Sequence, residues 1–151
     1  MPAERLFAWM VVLHSSFFVL LPLEIWWRQP ILGGPVTLAA MLITFAALCL
    51  RLWTLRTLGR SWNVRVVGGE QYPIISGGPY RFIRHPNYLV VILELLFIPL
   101  IAKLYLSAAI LTLANLAVLS VRIGNEEAML RQNPEWVRTM AHKPRFLPWL
   151  P

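Results

Sequence analysis

The sequence predicts an all-α membrane protein of about four transmembrane helices, the last two folded back on each other as a helical hairpin. Three observations predict it. Hydrophobic residues make up 58% of the 151 positions and charged residues only 14%, whereas a soluble domain carries about 25% charged residues. The apolar residues fall into four runs of span-like length. The basic residues gather on one side of those runs. So short a chain has room for one domain, positions 1–151, and too little interior to hide this much apolar surface from water.

A helix needs roughly 20 mostly apolar residues to cross ~30 Å of hydrocarbon. The first run is Leu6 to Leu23, interrupted by His14, Ser15 and Ser16. It reads as a span and not as a signal peptide, since Glu4 and Arg5 precede it and no small-residue cleavage site follows. The second runs from Pro35 to Leu52, with Pro35 suited to a first helical turn where its missing N–H costs nothing. The helix is expected to continue past the membrane through Trp53, Leu55 and Leu58 to a stop at Gly59, pointing Arg51, Arg56 and Arg60 into water. The third run, Pro86 to Ile101, and the fourth, Tyr105 to Val121, are separated only by Ala102, Lys103 and Leu104. That spacing predicts the hairpin, with Pro99 kinking or ending its first arm.

Twelve of the 14 Lys and Arg lie before the first run, from Arg51 at the end of the second run to the third, or after the fourth; only Arg28 and Lys103 lie on the other side. Cytoplasmic loops carry the excess of Lys and Arg. Both termini and the middle segment are therefore expected inside. An even number of spans demands that the termini share a side, so the two arguments agree. The net charge of +7 then reads as topology setting and attraction to anionic membrane lipids, and no nucleic-acid partner is expected. Cys49, the one cysteine, can form neither an internal disulfide nor a cysteine-based metal site.

The middle segment carries turn and strand signals. Trp62 to Val67 alternates apolar and polar residues, Gly68-Gly69 follows, and Gln71 to Ile75 completes a possible short hairpin at the interface. Gly77-Gly78-Pro79 is a turn. Next comes Tyr80-Arg81-Phe82-Ile83-Arg84-His85-Pro86-Asn87-Tyr88. Pro86 starts a helix and restrains His85 to extended geometry. Unsatisfied N–H groups beside Arg84 and His85 then favour an anionic group. The same residues also suit a blander role, with Arg81 and Arg84 on lipid phosphates and Tyr80 and Tyr88 in an aromatic belt.

A second polar cluster, Arg122-Ile123-Gly124-Asn125-Glu126-Glu127, ends the fourth run. Arg122 and Glu126 are spaced to pair on one helical face. Glu127 lies about 100° around the helix. Acidic charge near a helix C-terminus opposes the dipole, so these glutamates call for a cationic partner: a sulfonium, an amine or the arginines of the middle segment. Together the two clusters outline one polar site. Glu94, two turns into the third run, needs a partner or cavity, either the cytoplasmic pocket or His14. Asn115 reads as a helix–helix hydrogen-bonding residue, and His142 as a surface residue.

With these residues in view, the sequence resembles the isoprenylcysteine carboxyl methyltransferase family. The shared pattern is Gly78-Pro79-Tyr80, then Arg84-His85-Pro86-x-Tyr88, a two-helix hairpin, then Arg122-Ile123-x-x-Glu126-Glu127, over about Leu58 to Leu130. The Arg-His-Pro-x-Tyr element alone also occurs in phospholipid methyltransferases and membrane steroid reductases; the paired glutamates favour methyl transfer. The resemblance implies S-adenosylmethionine as cofactor, bound in a cytoplasmic pocket. It implies His85, Pro86, Tyr88, Tyr80 and Glu126 as cofactor-binding residues, and Arg84, Arg122 and Glu127 at the methyl-transfer centre. Trp136 and Arg145-Phe146-Leu147-Pro148 resemble the family's closing segment. The acceptor is expected to be lipophilic, an isoprenylcysteine carboxylate or, by likeness to small bacterial members over Leu58 to Glu94, an alkylpyrone or alkylresorcinol. Other functions open on these residues are an NADPH-dependent reductase of a lipid double bond, a phospholipid N-methyltransferase and a non-catalytic lipid-binding subunit.

Overall fold

The computed structural model describes residues 3–61 and 74–147. They form five α-helices: α1 (Ala3–Arg28), α2 (Pro35–Leu58), α3 (Pro86–Ile101), α4 (Tyr105–Leu130) and the short α5 (Pro134–Thr139), with 3₁₀ turns at Gly59–Ser61 and Gly78–Arg81. No strand occurs among the described residues. The interfacial hairpin expected over 62–75 falls almost wholly outside them.

Element boundaries follow local chemistry. Pro35 opens α2 behind Gly34, whose φ is 86°. Gly59, at φ 50°, ends the helix with its N–H donating to the Leu55 carbonyl, a positive φ that glycine takes without a Cβ penalty. In α3 the chain runs only two residues beyond Pro99. The Pro99 carbonyl then accepts from the N–H groups of Ala102 and Leu104, which closes the connection to α4.

Among the described residues three helical stretches are long and apolar enough to cross a membrane: Arg5–Arg28, Pro35–Leu58 and Tyr105–Leu130. The third expected span differs, since α3 has 16 residues, about 24 Å at 1.5 Å per residue. It is the central helix, packed against α2 on one side and α4 on the other, while α1 packs on α4. Leu13, Leu95 and Leu111 form the core where α1, α3 and α4 meet. Phe18, Trp26, Phe45 and Leu113 remain exposed on α1, α2 and α4, the distribution that a lipid solvent tolerates and water does not.

Two expectations about charged residues are corrected here. Arg51 does not point into water, and Glu94 reaches neither His14 nor the polar pocket. The Arg51 guanidinium instead grips both Glu94 carboxylate oxygens, Nε donating to Oε1 at 2.7 Å and the second nitrogen to Oε2, and so clamps α2 to α3. The nearest charge of opposite sign lay on the neighbouring helix, and a charge inside apolar spans pairs in preference to standing alone. His14 lies against the Met10 carbonyl of its own helix at 2.7 Å.

Candidate active site

The site is assembled where α2 ends, α3 begins and α4 passes. Gly78 starts the 3₁₀ turn at φ +53°, and a Cβ there would lie 2.2 Å from Thr57 Oγ1, so both backbone and space require glycine. That close approach seats the turn on the end of α2. Pro79 is buried and its carbonyl accepts from Phe82 and Ile83. The chain then extends through His85 (φ −128°, ψ 58°) into Pro86, the first residue of α3.

This extended stretch is paired with the C-terminal tail. The Arg84 N–H donates to the Pro144 carbonyl at 2.9 Å and the His85 N–H to the Arg145 carbonyl at 3.0 Å, while Lys143 Nζ donates to the Tyr80 carbonyl at 2.7 Å. The tail thus brings Arg145 and Phe146 to the site, Phe146 packing against Tyr88, Leu119 and Ile123. Trp136 is buried in α5 behind Asn133, whose side chain caps that helix. Pro148 lies outside the described residues.

At the centre stands Glu127, only 3% exposed. It is not free on its helix. Three basic side chains converge on its carboxylate: His85 Nε2 at 3.0 Å from Oε1, an Arg84 terminal nitrogen at 3.2 Å from Oε1, and Arg145 with Nε at 3.1 Å from Oε1 and a terminal nitrogen at 2.8 Å from Oε2. A carboxylate only accepts, so His85 carries its proton on Nε2. Hydrogen bonding to Glu127 holds the Arg145 guanidinium above its ordinary range. Burial pulls Arg84 below its own, with the neighbouring charges of Arg145 and Arg131 acting in the same sense and Glu127 opposing.

One turn away a second chain of contacts forms. Arg122 Nε donates to the Tyr88 hydroxyl at 2.7 Å, and that hydroxyl donates to Glu126 Oε2. The expected Arg122–Glu126 pairing is therefore bridged by a phenol from α3. Arg122 lies over the Tyr88 ring at 5.4 Å and also meets Met10 Sδ of α1. The His85 and Tyr88 rings stack with centroids 5.3 Å apart. Tyr80 lies close enough to feel Glu126, and burial, then that negative charge, push its phenol above the ordinary range.

All eight residues singled out in the sequence (Tyr80, Arg84, His85, Pro86, Tyr88, Arg122, Glu126, Glu127) thus sit within one cluster. Sequence reasoning missed Met10, an ordinary apolar residue by pattern, and the specific grip of Arg145 on Glu127.

Fold and site together define a class: a helical membrane protein whose centre is a glutamate pair held by arginine, histidine and tyrosine at one end of the bundle. Residues 38–132 match the model of the isoprenylcysteine carboxyl methyltransferase (ICMT) family, which is more than half of the chain. The protein belongs to that family of membrane methyltransferases. It is also similar to YpbQ of Bacillus subtilis (strain 168), itself uncharacterised, at 32% identity over 138 residues, 85% of this chain and 76% of that one. Its fold matches the solved eukaryotic intramembrane Ras methyltransferase ICMT with a TM-score of 0.66 at 19% identity, over 93% of this chain. The present chain spans about half of that enzyme, 52% of its length.

Proposed function

We propose that the protein is an S-adenosylmethionine-dependent methyltransferase that methylates an oxygen of a lipophilic acceptor at the cytoplasmic face of the membrane. The observation that carries this reading is the convergence of Arg84, His85 and Arg145 on Glu127 in a chain of this family.

The donor set suits such a cofactor. Glu126 and Glu127 offer negative charge for its amine and sulfonium, and the arginines offer donors for its carboxylate. Two buried polar atoms at the head of α3, Arg84 Nε and Asn87 Oδ1, have no hydrogen-bond partner among the described residues, leaving one donor and one acceptor for a ligand. On this reading His85, Pro86, Tyr88, Tyr80 and Glu126 hold the cofactor, while Arg84, Arg122 and Glu127 border the methyl-transfer centre.

When bound, S-adenosylmethionine supplies an electrophilic methyl on a sulfonium. That methyl would pass to an oxygen lone pair of the acceptor, with the S–CH₃ bonding pair staying on sulfur. The chain contributes positioning and electrostatics. Arg84 and Arg122 orient an acidic acceptor head. A carboxylate such as that of an isoprenylcysteine needs no base. The hydroxyl of an alkylpyrone or alkylresorcinol does, and the His85–Glu127 dyad is the base this geometry offers.

Incubating membranes containing the protein with radiolabelled methyl donor should place label in a lipid fraction that wild-type protein produces and Glu127→Gln does not. Calorimetric titration of the detergent-purified protein should give binding heat with S-adenosylmethionine. Heat with NADPH alone would overturn the reading in favour of a reductase.

A further inference from the structure

α1 contributes Met10 to the site, and how it does so is visible at its other end. Along α1 the buried and half-buried contact residues include Leu6, Met10, Leu13, Phe17, Leu20 and Glu24, a three-and-four-residue spacing that makes one narrow stripe on the helix. The intervening residues Val11, Val12, Phe18, Val19 and Leu23 are exposed. A stripe of aliphatic side chains packs nearly as well after a slip of one turn, about 5.4 Å, because lipid gives no preference between such registers.

Glu24 breaks that degeneracy. It is 5% exposed and reaches the first turn of α4. Its Oε2 accepts from the Ser107 N–H at 2.7 Å and from the Ser107 hydroxyl at 2.5 Å, and its Oε1 from the Leu106 N–H at 3.3 Å. Leu104, at the cap position of α4, makes no side-chain cap bond. These N–H groups are among the orphan donors of a helix start, which a carboxylate satisfies with the dipole in its favour. Arg28, 3.6 Å from Glu24, lies over the Tyr105 ring and closes the cluster. A slip by one turn would leave both the carboxylate and the donors unpaired in an apolar setting.

From this anchor Met10 stands 14 residues along α1 and Arg122 stands 15 along α4, distances of about 21 and 22 Å on antiparallel helices. The two meet because the anchor is where it is. We infer that Glu24 is a positioning residue: by fixing the register of α1 on α4 through Ser107, it places Met10 against Arg122 at the opposite end of the bundle. A buried polar residue in an apolar seam is the best-attested register device in packed helices.

The activity arm of the test rests on the methyltransferase reading; the structural arm does not. In a Cys49→Ser background, Phe17→Cys and Ala114→Cys, each seven residues from the anchor pair and packed in the same core, should cross-link with a short bifunctional thiol reagent. Adding Glu24→Ala should cut that yield several-fold in protein that remains folded. Ser107→Ala, which spares the backbone donors, should give a smaller loss and serves if Glu24→Ala does not fold. In turnover, Glu24→Ala should shift kcat and KM per folded molecule as Met10→Ala does. The double variant should be no worse than the more damaged single. A purely local stabilising role would lower the folded fraction and leave kcat and KM unmoved, and the fold-changes would multiply, as they do for distant independent sites. Unchanged cross-linking in folded Glu24→Ala, or multiplying effects, overturns the inference. Expected cross-linking in the Phe17→Cys/Ala114→Cys protein with Glu24 intact, beside wild-type protein that transfers no methyl group, would sink the activity reading alone.

Discussion

Glu127 carries a single negative charge and touches three basic side chains, so replacing it has consequences of two kinds. Glu127→Gln keeps the shape, but its amide presents a donor to groups that themselves donate, and it leaves the nearly buried Arg84 without its counter-charge. Methyl transfer should fall by on the order of 10²-fold or more, a size usual for one electrostatic group at a reacting centre, while circular dichroism of the purified protein stays helical. Arg145 faces the same carboxylate from a side chain that is 48% exposed, where ion pairs are worth little. Arg145→Ala should therefore cost only about tenfold or less in turnover by the same reasoning, and should weaken in its effect at high salt. Finding Arg145→Ala as damaging as Glu127→Gln would make the tail a direct participant in catalysis. Tyr88→Phe probes the second contact chain: without the hydroxyl, Arg122 and Glu126 lose their bridge. Cofactor affinity, measured by calorimetry, should drop about tenfold, the value of roughly one charge-assisted hydrogen bond.

At the scale of elements, α2 acts as a splint for the site without entering it. Its Thr57 seats the Gly78 turn, Arg51 holds Glu94 of α3, and at the far end Thr37 Oγ1 donates to the Ile101 carbonyl at 3.0 Å. Gly78→Ala must strain a positive φ and push Thr57 aside, a cost of about 1–3 kcal/mol readable as a lower melting temperature. Pairing it with Thr57→Ala should recover the steric part of that loss and not the backbone part. Glu94→Gln leaves the Arg51 charge without its partner and should destabilise by about 3 kcal/mol. Exchanging the two residues, Arg51→Glu with Glu94→Arg, should recover much of the stability that either single change loses. No recovery would mean that each residue answers to its surroundings and not to the other.

For the whole molecule, the contacts divide the bundle into two ends. Glu24 with Ser107 and Thr37 with Ile101 lie at one; Met10 with Arg122, Thr57 with Gly78, and the Glu127 cluster lie at the other. How much of this the sequence disclosed depended on the kind of force involved. Apolar runs announce helices because lipid burial acts on composition, and Pro35, Gly59 and Pro86 mark ends because backbone geometry is local. The site residues were recognisable as a motif, yet their partners were not: that Tyr88 bridges Arg122 to Glu126, or that Arg51 takes Glu94, is decided by which helix faces cross in space. The shortness of α3 was written plainly in its 16 residues, but its central place came from packing alone. The orientation of the bundle adds one more prediction. Arg56, Arg60, Arg81, Arg84, Arg131, Arg138, Lys143 and Arg145 gather at the site end, against Arg28 and Lys103 at the other. By the cytoplasmic preference of such residues, the site and the matching ends of α1 and α4 are expected inside. In a Cys49→Ser background, cysteine at exposed Leu32 should react with an impermeant thiol reagent in intact cells. Cysteine at exposed His142 should react only after the membrane is opened. The reverse pattern would turn the site outward, away from a cytosolic methyl donor, and a four-crossing path would fail if both positions labelled from one side.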